Sequence, residues 1–154
     1  ISHLILIYMD IILIAAVTAD GFIARNSHEI IDWSQDLHLF KEQTLGHTVI
    51  MGSHTFNSMQ NELTGRDIIV MHRNDNPKTI LDSIDSDKCF IAGGGRTNTR
   101  FAPYLTHLYL TSHPLVFGKG VALFYDLEEE LQLELVQKLE VNNNINQLQY
   151  RVLR

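Results

Sequence analysis

The chain is short of cysteine, of positive charge and of any long uninterrupted apolar run, and each shortage removes a class of function. Cys89 is the only cysteine among 154 residues, so no intramolecular disulfide can form. It sits in the apolar run Cys89-Phe90-Ile91-Ala92, where a thiol is expected to be buried and inert, in keeping with a reducing, cytoplasmic setting. Lysine and arginine number 12 against 18 aspartate and glutamate, a formal net charge of −6. A nucleic-acid binder displays a basic stripe, and none is present. The apolar stretch over residues 1–17 is interrupted by His3 and Asp10 and is too polar and too short for a membrane span. Its front lacks the basic residues and small-residue cleavage site of a signal peptide. Met9 looks like a natural start, so residues 1–8 are expected to be an N-terminal extension and residues 9–154 a single domain. Metal hydrolysis and acyl transfer find no support either. The eight histidines show no metal spacing, H-E-x-x-H is missing, and neither a G-x-S-x-G elbow nor a P-loop occurs.

What is present suits a globular fold: 45% hydrophobic and 19% charged residues lie far from the disordered range and can bury a core. Short apolar runs, hydrophobic on both faces, recur at Asp10–Val17, Thr48–Met51, Asp67–Met71, Lys88–Ala92 and Leu108–Thr111. Each reads as a buried parallel strand. Helical patterns fall between them at Asp36–Leu45, Thr55–Met59, Thr79–Ile84 and Arg96–Leu105. The tail changes to alternation over Leu131–Val141 and Gln147–Leu153, joined by Asn142-Asn143-Asn144, residues tolerant of positive φ that predict an antiparallel hairpin. The expected architecture is α/β, a mostly parallel central sheet ending in an antiparallel C-terminal hairpin.

Chemistry concentrates at strand-to-helix junctions. Gly93-Gly94-Gly95 follows one strand and opens a helix, so backbone can approach a phosphate while helix N–H groups face it. Arg96 adds a cation there, although Asn98 breaks the full G-x-G-x-x-G fingerprint. Gly52-Ser53-His54-Thr55 repeats the arrangement after a second strand. Parallel sheets bind ligands at the carboxyl ends of their strands. A tight turn without ligand remains an alternative at the glycine triplet, and simple capping explains the Gly52–Thr55 junction equally well. Asp36 lies in the first helical turn, with Ser34 as expected N-cap, on the flank of a stripe containing Phe40. It reads either as a dipole-favoured surface carboxylate or as a partly buried acid suited to proton transfer, roofed by Trp33. Arg66, opening a strand after Leu63-Thr64-Gly65, has the fork geometry to clamp a carboxylate.

Together these pieces resemble dihydrofolate reductase, from Met9 to about Phe124. Ile14–Val17 with Asp20-Gly21-Phe22-Ile23 resembles the family's first strand and the loop beside the nicotinamide. Asp36-Leu37 with Phe40-Lys41 and Thr44 resembles the helix carrying the active-site carboxylate. Val49–Thr55 resembles the adenosine-phosphate junction, and Leu63 with Gly65-Arg66 the segment that binds the folate tail. Ile91–Arg96 resembles the glycine turn with its cis Gly–Gly peptide, and Leu108–Thr111 the strand whose threonine supports the acid. The resemblance implies a three-layer fold and NADPH-dependent reduction of 7,8-dihydrofolate. It implies Asp36 and Thr111 as catalytic, with Thr111 hydrogen-bonded to Asp36. Ala16, Phe40, Met59, Leu63, Arg66 and Ala92 would complete the substrate site. Cofactor would contact Ala16, Ile23, Gly52, Ser53, His54, Thr55, His72, Arg73, Gly93, Gly94, Gly95, Arg96, Thr97 and Asn98.

Departures from the pattern define alternatives. Ser53 stands where the family usually has an arginine for cofactor phosphate, which leaves NADH open beside NADPH; His72 and Arg73 would replace that charge. Asn98 occupies a position that is usually aromatic. Pro114–Gly120 with Leu123-Phe124 is similar instead to the riboflavin-pathway pyrimidine reductases, which implies a ribosylaminopyrimidine phosphate as alternative substrate. A non-catalytic nucleotide-binding module is the third reading. The expected partners are small molecules, with no nucleic acid, membrane or metal, in a monomer or homodimer.

Overall fold

A computed structural model describes residues 8–154; the expected extension, residues 1–8, lies outside the described residues except for Tyr8. Five strands are parallel. They are β1 (Asp10–Thr18), β3 (Thr48–Gly52), β4 (Asp67–Met71), β5 (Lys88–Ile91) and β6 (His107–His113). The antiparallel β8 (Gln132–Asn142) and β9 (Ile145–Leu153) complete a seven-stranded sheet in the order β4-β3-β5-β1-β6-β9-β8. The parallel sheet ending in an antiparallel hairpin is therefore as expected. Its central strands are mostly apolar along their length because both faces are covered.

One face carries α1 (Leu37–Thr44) and α2 (Ser53–Met59), whose Phe40, Phe56 and Met59 pack on Ile12, Ile14, Val49, Met51 and Phe90. The other carries α3 (Pro77–Asp82) and α4 (Gly95–Phe101), with Leu81 and Phe101 against Ile11, Leu13, Ile50 and Ile91. Among the described residues no helix is long and apolar enough to cross a membrane.

Several boundaries differ from expectation, each for a local reason. Helix α3 begins at Pro77 rather than Thr79. The Asn76 side chain caps it by accepting from the N–H groups of Lys78 and Thr79, and proline fits the first helical position. Helix α4 stops at Phe101 and tightens into a 3-10 turn over Ala102–Tyr104, where Pro103 cannot continue the α-helical ladder. The Asn142–Asn144 turn uses no positive φ. Asn142 Oδ1 accepts the Asn144 N–H at 3.1 Å, so side-chain bonding, not left-handed backbone, makes this corner. The segment expected as a flexible loop forms a short strand, β2 (Phe22–Ala24), paired with β7 (Val121–Ala122).

Candidate functional site

The carboxyl halves of β1, β3, β5 and β6 carry Ala16, Gly52, the Ala92–Gly95 bend and Thr111, while His72 and Arg73 follow β4 and Leu63 and Arg66 precede its amino end. Asp36 stands at the N-terminus of α1, where its carbonyl accepts the Phe40 N–H at 3.0 Å. Its carboxylate does not cap the helix, and the residue as a whole is only 6% exposed. This sets aside the surface reading of Asp36. Ser34 is not the N-cap: its hydroxyl donates to Asp36 Oδ1 at 2.7 Å, because Asp36 itself holds the cap position. That hydrogen bond gives the buried carboxyl a partner where an unpaired polar group would be costly.

Thr111 lies on β6 in register with Ala16 of β1, and both therefore face the same side of the sheet. The expected Thr111–Asp36 hydrogen bond is not formed. Thr111 Oγ1 is enclosed and without a partner, the one such side-chain atom among the described residues. Ser34 supplies the donor to the acid instead. An enclosed hydroxyl without a partner is destabilising, so its retention fits a ligand that satisfies it. Phe40, Met59, Leu63 and Ala92 belong to the apolar cluster on this same face. Arg66 is anchored over α1. Its Nε donates to Thr44 Oγ1 at 3.0 Å, and its terminal nitrogens donate to the carbonyls of Thr64 and Lys41. A guanidinium has five N–H groups, so one remains on each terminal nitrogen, enough for a bidentate carboxylate.

The two glycine junctions are joined. The Gly52 N–H donates to the Gly93 carbonyl at 2.8 Å, and the Ala92 N–H to Ile50 at 2.9 Å. The Gly93–Gly94 peptide is cis, with Gly93 at φ +87, a backbone conformation suited to glycine. Neither α2 nor α4 has a side chain capping its first N–H groups, which leaves two neighbouring sets of donors for an anion. A Cβ on Gly52 would meet Thr97 Oγ1 at 3.0 Å, and one on Gly93 would meet Thr55 Oγ1 at 3.4 Å. Hydroxyls of Thr55 and Thr97 thus border the bend. These groups fit a dinucleotide diphosphate. Gly95 has a further reason to be glycine: a Cβ there would fall 2.5 Å from the Ala122 carbonyl and 2.8 Å from the Tyr125 ring.

Asn98 is wholly buried and spent within the protein. Its Oδ1 accepts the Gly93 N–H at 3.1 Å and its Nδ2 donates to the Leu123 carbonyl at 3.0 Å. Direct contact between its side chain and cofactor gives way to bracing of the glycine turn. His72 and Arg73 follow β4, whose Met71 is in register with Gly52. Arg100 holds this turn through the carbonyls of His72, Arg73 and Asp75. His54, exposed on α2, meets the ring of His28 edge-on at 4.4 Å.

Three contributors carry no role of their own in the sequence. His113, at the end of β6, is 1% exposed. Its Nε2 accepts the Gln35 N–H at 3.0 Å and its Nδ1 donates to the Thr111 carbonyl at 2.9 Å. Trp33 packs edge-on against this imidazole, with centroids 5.2 Å apart, and also against Phe117. Asp20 ties the β1–β2 turn to the segment after β6, accepting from Thr18 Oγ1 at 2.6 Å and from the Gly118 N–H at 2.8 Å. The Thr18 hydroxyl, with the Gly118 and Phe117 N–H groups, holds its carboxyl below the ordinary aspartate value. The third is Gln147 of β9, whose buried amide exchanges two hydrogen bonds with Gln43 of α1, at 2.7 and 2.9 Å. No grouping of three metal-ligating side chains occurs among the described residues.

Comparison with known proteins agrees with this geometry. The family model described as dihydrofolate reductase matches residues 10–154. The dihydrofolate reductase of Bacillus subtilis (strain 168) is 32% identical over 110 residues, 64% of this chain and 66% of that protein. A type 3 dihydrofolate reductase from Salmonella typhimurium is 33% identical over 117 residues, 67% of this chain and 71% of the relative. The chain thus spans about two thirds of the length of these relatives. Among solved structures, a protein assigned to riboflavin biosynthesis in Shewanella sp. PV-4 superposes with a TM-score of 0.67. The match covers 95% of this chain and 100% of that one at 18% identity, a likeness of fold.

Proposed function

The chain belongs to the dihydrofolate reductase family, and from that premise we propose that it reduces 7,8-dihydrofolate to tetrahydrofolate with NADPH, using Asp36 as its acid. The observation that carries this reading is the buried Asp36 carboxylate, 6% exposed and steadied by Ser34, on the sheet face that also holds Phe40 and Leu63. Asp36 accepts from the amino and ring N–H groups of a pterin, fixes its orientation and favours protonation of the reacting imine, through water at the site mouth. Phe40, Met59, Leu63, Ala92 and Ala16 wall the flat ring and exclude bulk water, so positioning supplies much of the rate. Thr111 offers its unspent hydroxyl to the same end of the substrate. Arg66 takes the tail carboxylate with its two remaining N–H groups. The nicotinamide, when bound, supplies the hydride. Gly52 to Thr55 and Gly93 to Thr97 are the residues that would hold the cofactor's diphosphate, with Ile23 and Ala16 near its reactive end. Ser53 brings a hydroxyl where a cation would favour the extra phosphate of NADPH, so His72 and Arg73 carry that preference and NADH is the second donor to test. The protein is read as one reductase domain over residues 9–154, cytoplasmic, a monomer or homodimer acting on small molecules.

A ribosylaminopyrimidine phosphate is the competing substrate, favoured by the segment Pro114–Gly120, which Asp20 fastens against the β1–β2 turn. Supplying NADPH with each substrate in turn and following its absorbance decides the matter. Oxidation with dihydrofolate supports the proposal; oxidation with the pyrimidine alone overturns it in favour of the rival. Tight NADPH binding without turnover of either would point to a binding module.

A further inference from the structure

We propose that His113 is a positioning residue for Asp36, a neutral imidazole that pins the loop carrying the acid to the central sheet; the inference rests on the reductase reading above. The hydrogen bonds fix the tautomer. A backbone N–H can only donate and a backbone carbonyl can only accept. Nε2 of His113 must therefore carry the lone pair that receives the Gln35 N–H, and Nδ1 must carry the proton given to the Thr111 carbonyl. Both ring nitrogens are thereby spent, in a side chain 1% exposed. The two partners are the informative part. Gln35 is the residue immediately before Asp36, and Thr111 is the strand residue whose hydroxyl waits unpartnered. One ring thus spans the two halves of the site, from α1's entry to β6.

The other ties of this segment do not reach the Gln35 N–H. Ser34 is occupied with the carboxylate itself, and Gln35 makes one other side-chain contact, with Asn142. Trp33 packs edge-on with the same imidazole and with Phe117, and its Nε1 donates to Glu29 Oε1 at 3.4 Å. Lys138 and Asn146 line the small cavity that His113 borders, and neither provides Gln35 with an acceptor. Remove the imidazole and the N–H of Gln35 loses its partner, so the Asp36 carboxylate is no longer held at one place on the sheet face. A misplaced acid slows proton delivery without touching the distant glycine bend, where the cofactor's diphosphate is held.

The test combines kinetics with a measurement that needs no turnover. His113→Phe keeps a ring and loses both hydrogen bonds, whereas His113→Gln keeps an acceptor for Gln35. The expected result is a fall in kcat for dihydrofolate of at least about tenfold in the Phe variant, with KM for NADPH within about twofold, and near-normal kcat in the Gln variant. Adding His113→Phe to Asp36→Asn should lower the rate of that single variant by less than about twofold, because the effect runs through the same acid. An unchanged kcat for His113→Phe, or a full drop repeated in the Asp36→Asn background, overturns the proposal. Nitrogen NMR of the wild-type imidazole at neutral pH is expected to show a protonated Nδ1 and a bare Nε2. The reverse tautomer or an imidazolium overturns it even if the Phe variant does not fold. Should the wild type fail to turn over dihydrofolate, the substrate assignment falls; the Asp36 carboxyl carbon signal then still tests the positioning claim. It is expected to shift in His113→Phe and to stay in His113→Gln, and an unmoved signal in both defeats the claim.

Discussion

At the scale of single residues, the site is made by side chains that give up their ordinary partners. Asp36 occupies a helix N-cap yet does not cap, and Thr111 keeps a buried hydroxyl with no bond. An enclosed hydroxyl without a partner costs stability, the kind of local conflict expected where a residue serves a ligand rather than the fold. Gly95 shows the opposite pressure, since its missing side chain makes room for the protein's own Ala122 and Tyr125. Gly95→Ala is expected to destabilise by about 1–3 kcal/mol through overpacking, read as a lower thermal midpoint, and to weaken NADPH binding as the 121–125 segment moves. A variant with unchanged midpoint would show that this segment yields freely. The residues legible in the sequence were those whose type announces chemistry: an acid at a helix start, at the N-cap rather than in the first turn as expected, a glycine triplet after a strand, an arginine after a turn. His113 was not legible, because its partner Gln35 lies 78 positions away and nothing local distinguishes a histidine used at both nitrogens from one in solvent. Ser34 was placed next to the acid but given the wrong task.

At the scale of elements, the short ribbon β2–β7 and the turns around it decide how the site is closed. Asp20 is the fastener, bonded to Thr18, Phe117 and Gly118. Its carboxyl is held below the ordinary aspartate value, so its contribution is present above the unfolded-state value, about 4, and is lost as pH falls through the depressed one. Thermal midpoints of wild type and Asp20→Asn are therefore expected to differ at neutral pH and to converge below about pH 4. A difference that persists undiminished to lower pH would contradict this fastening. Strand length and apolar runs made the five parallel strands and the hairpin legible. The ribbon was missed because two or three residues carry no period, and the Asn142–Asn144 corner was misjudged because asparagine bends a chain by side-chain bonding as well as by positive φ.

At the scale of the whole molecule, the sheet separates two apolar clusters; the Asp36 end of the site lies on the α1–α2 side, while the Gly93–Gly95 bend opens α4 on the other. Cys89 is wholly buried beneath the other side, and burial pushes its thiol up to about 12. It should resist a thiolate-selective reagent at pH 8 in the folded protein and react fully once unfolded; rapid labelling of the native protein would mean that the core opens readily. The fold class followed from composition and pattern, since buried parallel strands leave few other architectures. The assembly of distant residues around Asp36 did not, since it depends on β1, β6 and α1 meeting in space. The most direct test of the account is the rate of NADPH-dependent dihydrofolate reduction by Asp36→Asn against wild type near neutral pH, with both proteins shown to be folded. A loss of at least about tenfold in kcat is expected from removing the acid while keeping its shape; an unchanged rate would remove Asp36 from the chemistry and contradict the account.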